Sequence, residues 1–210
     1  MDVELIQPFG PSILKTKIPQ EIMDKLNNYI DQVVIDKKKS DILNMGNKLA
    51  GDVTQEFKLE KDFVDNIGFL KFIGINVSRW IQISLKQKIT KFSLIDSWIV
   101  RQFKDEYNPV HWHGGHVSGA GFLKLPKTFG SHIQNKEKTI YEGGTLNFLH
   151  GSRQFMSNSK FRITPEIGDL YIFPHYLMHT VYPFKGTDEE RRSISFNASI
   201  DNDIYNVYKD

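Results

Sequence analysis

From Pro19 to about Val34 the apolar residues fall at Ile22, Leu26, Ile30 and Val33, with Met23 beside them. Steps of three and four residues place them along one side of a helix. Pro19 is tolerated in a first helical turn, where its missing N–H would have had no partner. The run Lys37-Lys38-Lys39 that follows reads as a solvated turn. A second helix is predicted from near Glu60 towards Trp80, because Phe63, Ile67, Leu70, Ile73, Val77 and Trp80 form one apolar stripe. Gly68 and Gly74 interrupt it and read as points of close packing against a sheet. Neither helix carries a polar cluster suited to chemistry, so both read as support.

Beyond Lys91 the pattern becomes strand-like. Candidate strands are Ser93 to Phe103, Gly119 to Leu125, Gly144 to Leu149, Leu170 to Phe173 and Arg191 to Ala198. Turn residues punctuate them, among them Pro109, Gly114-Gly115, Pro126, Gly143-Gly144, Gly168 and Pro174. Many short strands without long helices between them predict a mainly β, antiparallel sandwich or jelly roll, with the N-terminal helices covering one sheet. The expected organisation is a single domain over residues 1–210. Residues 1–90 would be the helix-rich support and residues 91–200 the β core.

Composition narrows the chemistry. The chain has 210 residues, with 27 Lys and Arg against 25 Asp and Glu. That near balance argues against a nucleic-acid partner, which demands a concentrated basic face. Apolar residues at 40% and charged residues at 25% suit a globular chain. There is no cysteine, which excludes disulfides, thiolate zinc sites, iron–sulfur clusters and cysteine nucleophiles. Any metal must then be held by His, Asp or Glu. No apolar run approaches 18 residues, so no membrane span is expected. The start, Met1-Asp2-Val3-Glu4-Leu5, lacks the features of a secretion signal, which points to the cytoplasm. Asn76-Val77-Ser78 then matches a glycosylation pattern by chance, and Lys136-Glu137-Lys138 reads as a mobile, solvated loop.

Five of the seven histidines lie in two short regions: His111, His113 and His116, then His175 and His179. On a strand, His111 and His113 share a face, and Trp112 points the other way into packing. Two imidazoles on one strand and a third from a distant strand would form one side of an octahedron, leaving positions for water, a chelating substrate and a gas. His179, just past the strand that Pro174 ends, is the favoured third group, and His175 is its nearer competitor. The same residues could instead be polar surface or hydrogen-bonded core. His116 follows Gly114-Gly115 and reads as loop structure, with a ligand or substrate contact as the lesser reading. His132 and His150 show no partner pattern.

In the last strand, alternation puts Arg191, Ser193, Ser195 and Asn197 on one face and Arg192, Ile194 and Phe196 on the other. If the polar face looks inward, Arg191 and Ser193 make a carboxylate site from a guanidinium and a hydroxyl. If it looks outward, it is simply solvated. The pattern leaves both open.

Several segments now stand in a telling order. They are His111-Trp112-His113, Ser118-Gly119-Ala120-Gly121-Phe122-Leu123, Tyr141-Glu142-Gly143-Gly144-Thr145-Leu146, Gly168 to Pro174 with His179, and Arg191 to Asn197. Together, over roughly residues 95 to 200, they resemble the 2-oxoglutarate and iron(II)-dependent oxygenase superfamily, most of all a little-characterised branch of marine bacteria and their tailed phages. The resemblance implies a double-stranded β-helix, the cupin-like jelly roll, and a dioxygenase that uses Fe(II), 2-oxoglutarate and dioxygen. It implies iron ligation by His111, His113 and His179, and binding of the far carboxylate of 2-oxoglutarate by Arg191 with Ser193. If the chain is phage-encoded, it would work in the host cytoplasm.

One position departs from the commoner superfamily pattern, which has Asp or Glu where this chain has His113. The change removes a negative charge beside iron(II). Alternatively, Glu142 or Asp105 could supply a carboxylate from elsewhere. The primary substrate is not identified by the sequence; a protein, a peptide or a small molecule would fit, with Trp98, Tyr107, Trp112, Phe122, Tyr141 and Tyr182 as candidate aromatic walls. Two rival classes remain: a cupin-type metalloenzyme that does not use 2-oxoglutarate, and a non-catalytic jelly-roll binding or structural protein.

Overall fold

The computed structural model describes residues 10–131 and 140–207. The expected positions His132 and Lys136-Glu137-Lys138 lie outside the described residues. The chain opens with β1 (Leu14–Lys17), α1 (Gln20–Ile35) and α2 (Lys37–Leu43), then β2 (Gln55–Lys58), α3 (Lys61–Asn66) and α4 (Phe69–Leu85). Eight further strands follow: β3 (Phe92–Gln102), β4 (Asn108–His111), β5 (Val117–Lys124), β6 (Leu146–Leu149), β7 (Lys160–Ile163), β8 (Asp169–Pro174), β9 (Met178–Val181) and β10 (Arg191–Ile200). A short helix, α5 (Asn202–Tyr205), comes last. Among the described residues no helix is long and apolar enough to cross a membrane.

The strands form two antiparallel sheets, one ordered β1-β8-β5-β10-β3-β2 and the other β4-β9-β6-β7. This corrects the expected mainly β fold and its closed double-stranded β-helix or jelly roll. The content is mixed α/β and the sheets are open. Among the described residues each keeps two unpaired edges, β1 and β2 on the larger and β4 and β7 on the smaller, and no strand pairs across from one sheet to the other. The N-terminal half contributes to this outcome, since its two short strands cap the outer edges of the larger sheet.

Alternation along the strands separates two cores. On one face of the larger sheet, Ile99, Leu170, Ile172, Ile194 and Phe196 meet Leu26, Ile30 and Val33 of α1 and Ile73 and Val77 of α4. On the other, Phe122, Tyr171 and Phe173 meet Leu146, Phe148, Ile163 and Val181 of the smaller sheet. Burying apolar surface on both faces accounts for the regular switch of side-chain type along β8 and β10.

Three local expectations change. Lys37-Lys38-Lys39 is the first turn of α2 rather than a loose turn, because the Asp36 carboxylate accepts the Lys39 N–H at 3.1 Å and caps the helix. The single helix expected from Glu60 to Trp80 is two, α3 and α4. Gly68 breaks it in the left-handed region at φ 82°, and a Cβ there would touch nothing within 4 Å. Its role is therefore conformational, whereas Gly74 does lie close against the Phe92 ring of β3. Asn76 is buried in α4 and donates its amide to the Phe72 carbonyl at 2.8 Å.

Candidate metal and anion site

His111 ends β4, where it stands directly opposite His179 of β9. β4 carries one extra residue between Asn108, which pairs with Val181, and His111. The bulge falls at Pro109 and Val110, where Pro has no N–H to give to the ladder. His179 thus lies in a strand of its own, not merely beyond the end of β8. His113 lies past β4, in the turn to β5, so strand parity does not explain its position. Main-chain bonds do: its N–H donates to the His175 carbonyl at 3.0 Å.

The three imidazoles converge, with their ligand atoms all within 4.8 Å of one another. The Nε2 atoms of His113 and His179 are 3.0 Å apart. Adjacent nitrogens on an octahedral metal with bonds of about 2.1 Å stand at about that separation. The tautomers also fit. The Nδ1–H of His111 donates to the Pro109 carbonyl at 2.7 Å, and that of His179 to the Leu177 carbonyl at 2.8 Å. Both therefore present a lone pair at Nε2, while the other ring nitrogen is bonded to a carbonyl, as in metal-binding imidazoles generally. Burial lowers the basicity of all three. It pushes His113 to about 3, aided by His179, His111 and His175, and His179 to about 4, aided by His111; His111 is lowered as well. At neutral pH the cluster is uncharged and its lone pairs are free for a divalent ion.

The trio lines a cavity of about 420 Å³, open mouth included, between the two sheets. Across it stands Arg191, which is 2% exposed. Its Nη1 donates to the Gln102 side-chain oxygen at 3.2 Å and to the Ser193 hydroxyl at 3.3 Å. Its Nε is buried without any partner, and among the described residues no carboxylate pairs with the guanidinium. Burial alone pulls its basicity down to about 10. An uncompensated buried cation is costly, and a carboxylate entering the cavity would relieve that cost. The Phe122 ring, 5.1 Å from the guanidinium carbon, and Gln102, whose amide donates to the Glu106 carbonyl at 2.5 Å, hold it in place. The donor set therefore suits a divalent metal at the imidazoles and a dicarboxylate reaching to Arg191.

Other candidates lie elsewhere. Glu142 is ion-paired with Lys160, and Asp105 stands 3.7 Å from Lys185; neither joins the cluster. His116 accepts the Ile200 N–H at Nδ1, and His175 donates from Nδ1 to the His113 carbonyl at 2.9 Å. His150 is exposed in the loop after β6. Of the six aromatic residues, Trp98 and Phe122 line the cavity. Trp112, expected in packing, is instead 65% exposed, because the turn after β4 swings it outward. Sequence reasoning passed over Asn108, whose side chain lines the cavity, and Glu56, a buried residue of β2 beside it. Burial, opposed by a hydrogen bond from Asn108 and reinforced by nearby Glu106, raises the Glu56 carboxyl to about 7.

Residues 96–197 match the family described as "Putative 2OG-Fe(II) oxygenase". No curated protein has a sequence that matches this chain. Among solved structures, a prolyl-4-hydroxylase from Pseudomonas putida is similar at TM-score 0.58 and 14% identity, covering 88% of this chain and 91% of that one. A prolyl hydroxylase from Trichoplax adhaerens, in complex with a hypoxia inducible factor peptide fragment, is similar at TM-score 0.57 and 11% identity, covering 96% and 88%. HygX from Streptomyces hygroscopicus, with nickel, 2-oxoglutarate and hygromycin B bound, is similar at TM-score 0.55 and 13% identity, covering 90% and 82%. At these identities the likeness is one of fold. The chain therefore shares its fold with these proteins, and the family match covers just under half of its length.

Proposed function

We propose that this protein is an iron(II)- and 2-oxoglutarate-dependent dioxygenase that hydroxylates a C–H bond of a protein, peptide or small-molecule substrate. The observation that carries the reading is the pairing, in one cavity, of three neutral imidazoles with a buried arginine that lacks a counter-anion. Either feature alone has a bland explanation; together they match a metal and a dicarboxylate held side by side. The similar structures named above include proline hydroxylases and a protein holding 2-oxoglutarate, which favours this chemistry over a purely structural role.

In this reading His111, His113 and His179 hold the metal through nitrogen lone pairs. Backbone carbonyls fix the ring planes of His111 and His179. Arg191 receives the far carboxylate of 2-oxoglutarate through its free Nε–H, and the Ser193 hydroxyl stands beside it to complete the clamp. Bound iron(II) and 2-oxoglutarate supply the two-electron oxidation that places one atom of dioxygen on the substrate. The protein sets distances and keeps bulk water out: Val100, Ala120, Leu146 and Val181 give the cavity apolar walls. Trp98, whose ring centroid is 5.5 Å from that of His113, stands at the metal side. The all-histidine set leaves the metal with more positive charge than a set containing a carboxylate.

Anaerobic addition of iron(II) and 2-oxoglutarate tests the proposal. The expected result is the weak visible absorption of their chelate in the parent protein, lost in Arg191→Ala and in His179→Ala, with succinate formed once air is admitted. Retention of the metal with no response to 2-oxoglutarate would instead favour a three-histidine dioxygenase of cupin type. Binding of neither would leave a non-catalytic role.

A further inference from the structure

His113 is the member of the trio that no strand holds. It sits in a turn whose next residues are Gly114 and Gly115, the latter at φ 87° with a virtual Cβ only 2.9 Å from the Ala198 carbonyl. The sheet holds this turn at His116, whose N–H bonds the Ala198 carbonyl at 2.9 Å, but no ladder pairing reaches His113 itself. The structure supplies three linked contacts that secure it. His175 and His113 bond reciprocally, N–H of His113 to the His175 carbonyl at 3.0 Å and Nδ1–H of His175 to the His113 carbonyl at 2.9 Å. That tautomer leaves the His175 Nε2 as an acceptor, and the Tyr205 hydroxyl donates to it at 2.7 Å. The Tyr205 ring in turn stacks on His116, with centroids 3.9 Å apart and planes at 8°.

Tyr205 is itself anchored. Asp201, ahead of α5, accepts the N–H groups of Thr90 and Lys91 at 2.8 and 3.0 Å and the Thr90 hydroxyl at 2.6 Å. The Tyr205 N–H bonds the Asp201 carbonyl at 3.1 Å. A continuous hydrogen-bonded path therefore runs from the two residues before β3 through α5 to the main chain of His113. Tyr205 is 42% exposed and belongs to neither hydrophobic core, so its packing is confined to the His116 and His175 rings.

We infer that α5 is a clasp for the metal site, with Tyr205 and His175 as positioning residues that hold the His113 imidazole in register with His111 and His179. The inference rests on the reading of that trio as a metal site. Neither residue touches the metal. They act by restricting a ligand-bearing turn; groups bonded directly to a ligating imidazole typically change metal affinity by about 10- to 100-fold, and contacts one step further out are expected at the lower end of that range. The clasp also gives His116 a role, as the plate against which Tyr205 is stacked.

Cobalt(II) titration of the full chain under anaerobic conditions, followed by its visible ligand-field absorption, separates the two claims. The parent protein is expected to bind cobalt(II) and His179→Ala to lose it. Tyr205→Phe keeps the stacked ring and removes only the hydroxyl. It is expected to weaken cobalt(II) about tenfold and to shift the absorption, with an unchanged thermal midpoint. His175→Leu should weaken binding at least as much. If Tyr205→Phe matches the parent within twofold and shows the same spectrum while His179→Ala is dead, the clasp is overturned and the metal site stands. If the parent binds no cobalt(II), or His179→Ala binds it equally well, the metal reading fails and the clasp with it.

Discussion

Arg191 and Arg192 are neighbours on β10 and both are buried, at 2% and 1% exposure, yet their surroundings are opposite. Arg192 faces the helices. Its guanidinium bonds Glu190 at 2.6 and 3.0 Å, Asp31 at 2.6 Å and the Asn27 side chain and carbonyl at 3.1 Å. Burial works against its charge, but Glu190 and Asp31 outweigh burial and raise its basicity. Arg191 faces the cavity with one amide, one hydroxyl and an orphaned Nε, and its basicity falls. One arginine has its anions built in and ties α1 to the sheet. The other lacks them, as a residue whose anion arrives from outside would.

The largest way to break this contrast is Arg192→Met. It leaves Glu190 in the interior with Arg101 and Lys124 as its remaining partners, so the loss is expected at the lower end of the cost of breaking a buried pair, about 3 kcal/mol. Denaturant unfolding should show that loss. A loss below about 1 kcal/mol would mean that the network is incidental.

Acid should act on the same side of the strand. Burial disfavours the Glu190 carboxylate, but hydrogen bonds from Arg101 and Arg192 prevail and hold its pKa at about 2, below the ordinary 4.5. Its folded pKa is depressed, so the stabilisation is complete above pH about 4.5 and drains away as pH falls towards about 2, on the order of 3 kcal/mol in all. Stability measured from pH 6 to 2 should show this fall, and Glu190→Gln should flatten it.

Arg191→Met should do the least to the fold. Replacing an unpaired buried charge by an apolar side chain of similar length is expected to leave stability unchanged or raise it by about 1 kcal/mol. A large destabilisation would show that Arg191 has a structural partner after all, and the contrast with Arg192 would collapse.

How much of this was legible beforehand differs from element to element. The apolar stripe of α1 was plain, and so was the division of β10 into an Ile194/Phe196 face and an Arg191/Ser193 face, because periods of 3.6 and 2 are written directly into residue order. The ordered segments from His111 to Asn197 were enough to suggest an oxygenase-like fold. The break at Gly68 was harder to see, since the stripe continues across it and only the left-handed backbone reveals it. β1 and β2 were missed, being four residues each and dependent on the sheet they extend. The closed β-helix was the wrong extrapolation, because strand lists do not state which edges meet.

The site divides in the same way. The sequence by itself determined which groups were available: histidines without any cysteine, and a lone inward-capable arginine beside a serine. Only the tertiary structure decided that His111 faces His179 across a bulged ladder, that His113 is carried by a turn held from α5, and that Arg191 is buried without a counter-anion while Arg192 is saturated. Side-chain type and local period are properties of neighbouring residues, whereas register, burial and charge compensation depend on contacts between distant segments, such as His113 with His179 and Arg192 with Asp31, 66 and 161 positions apart.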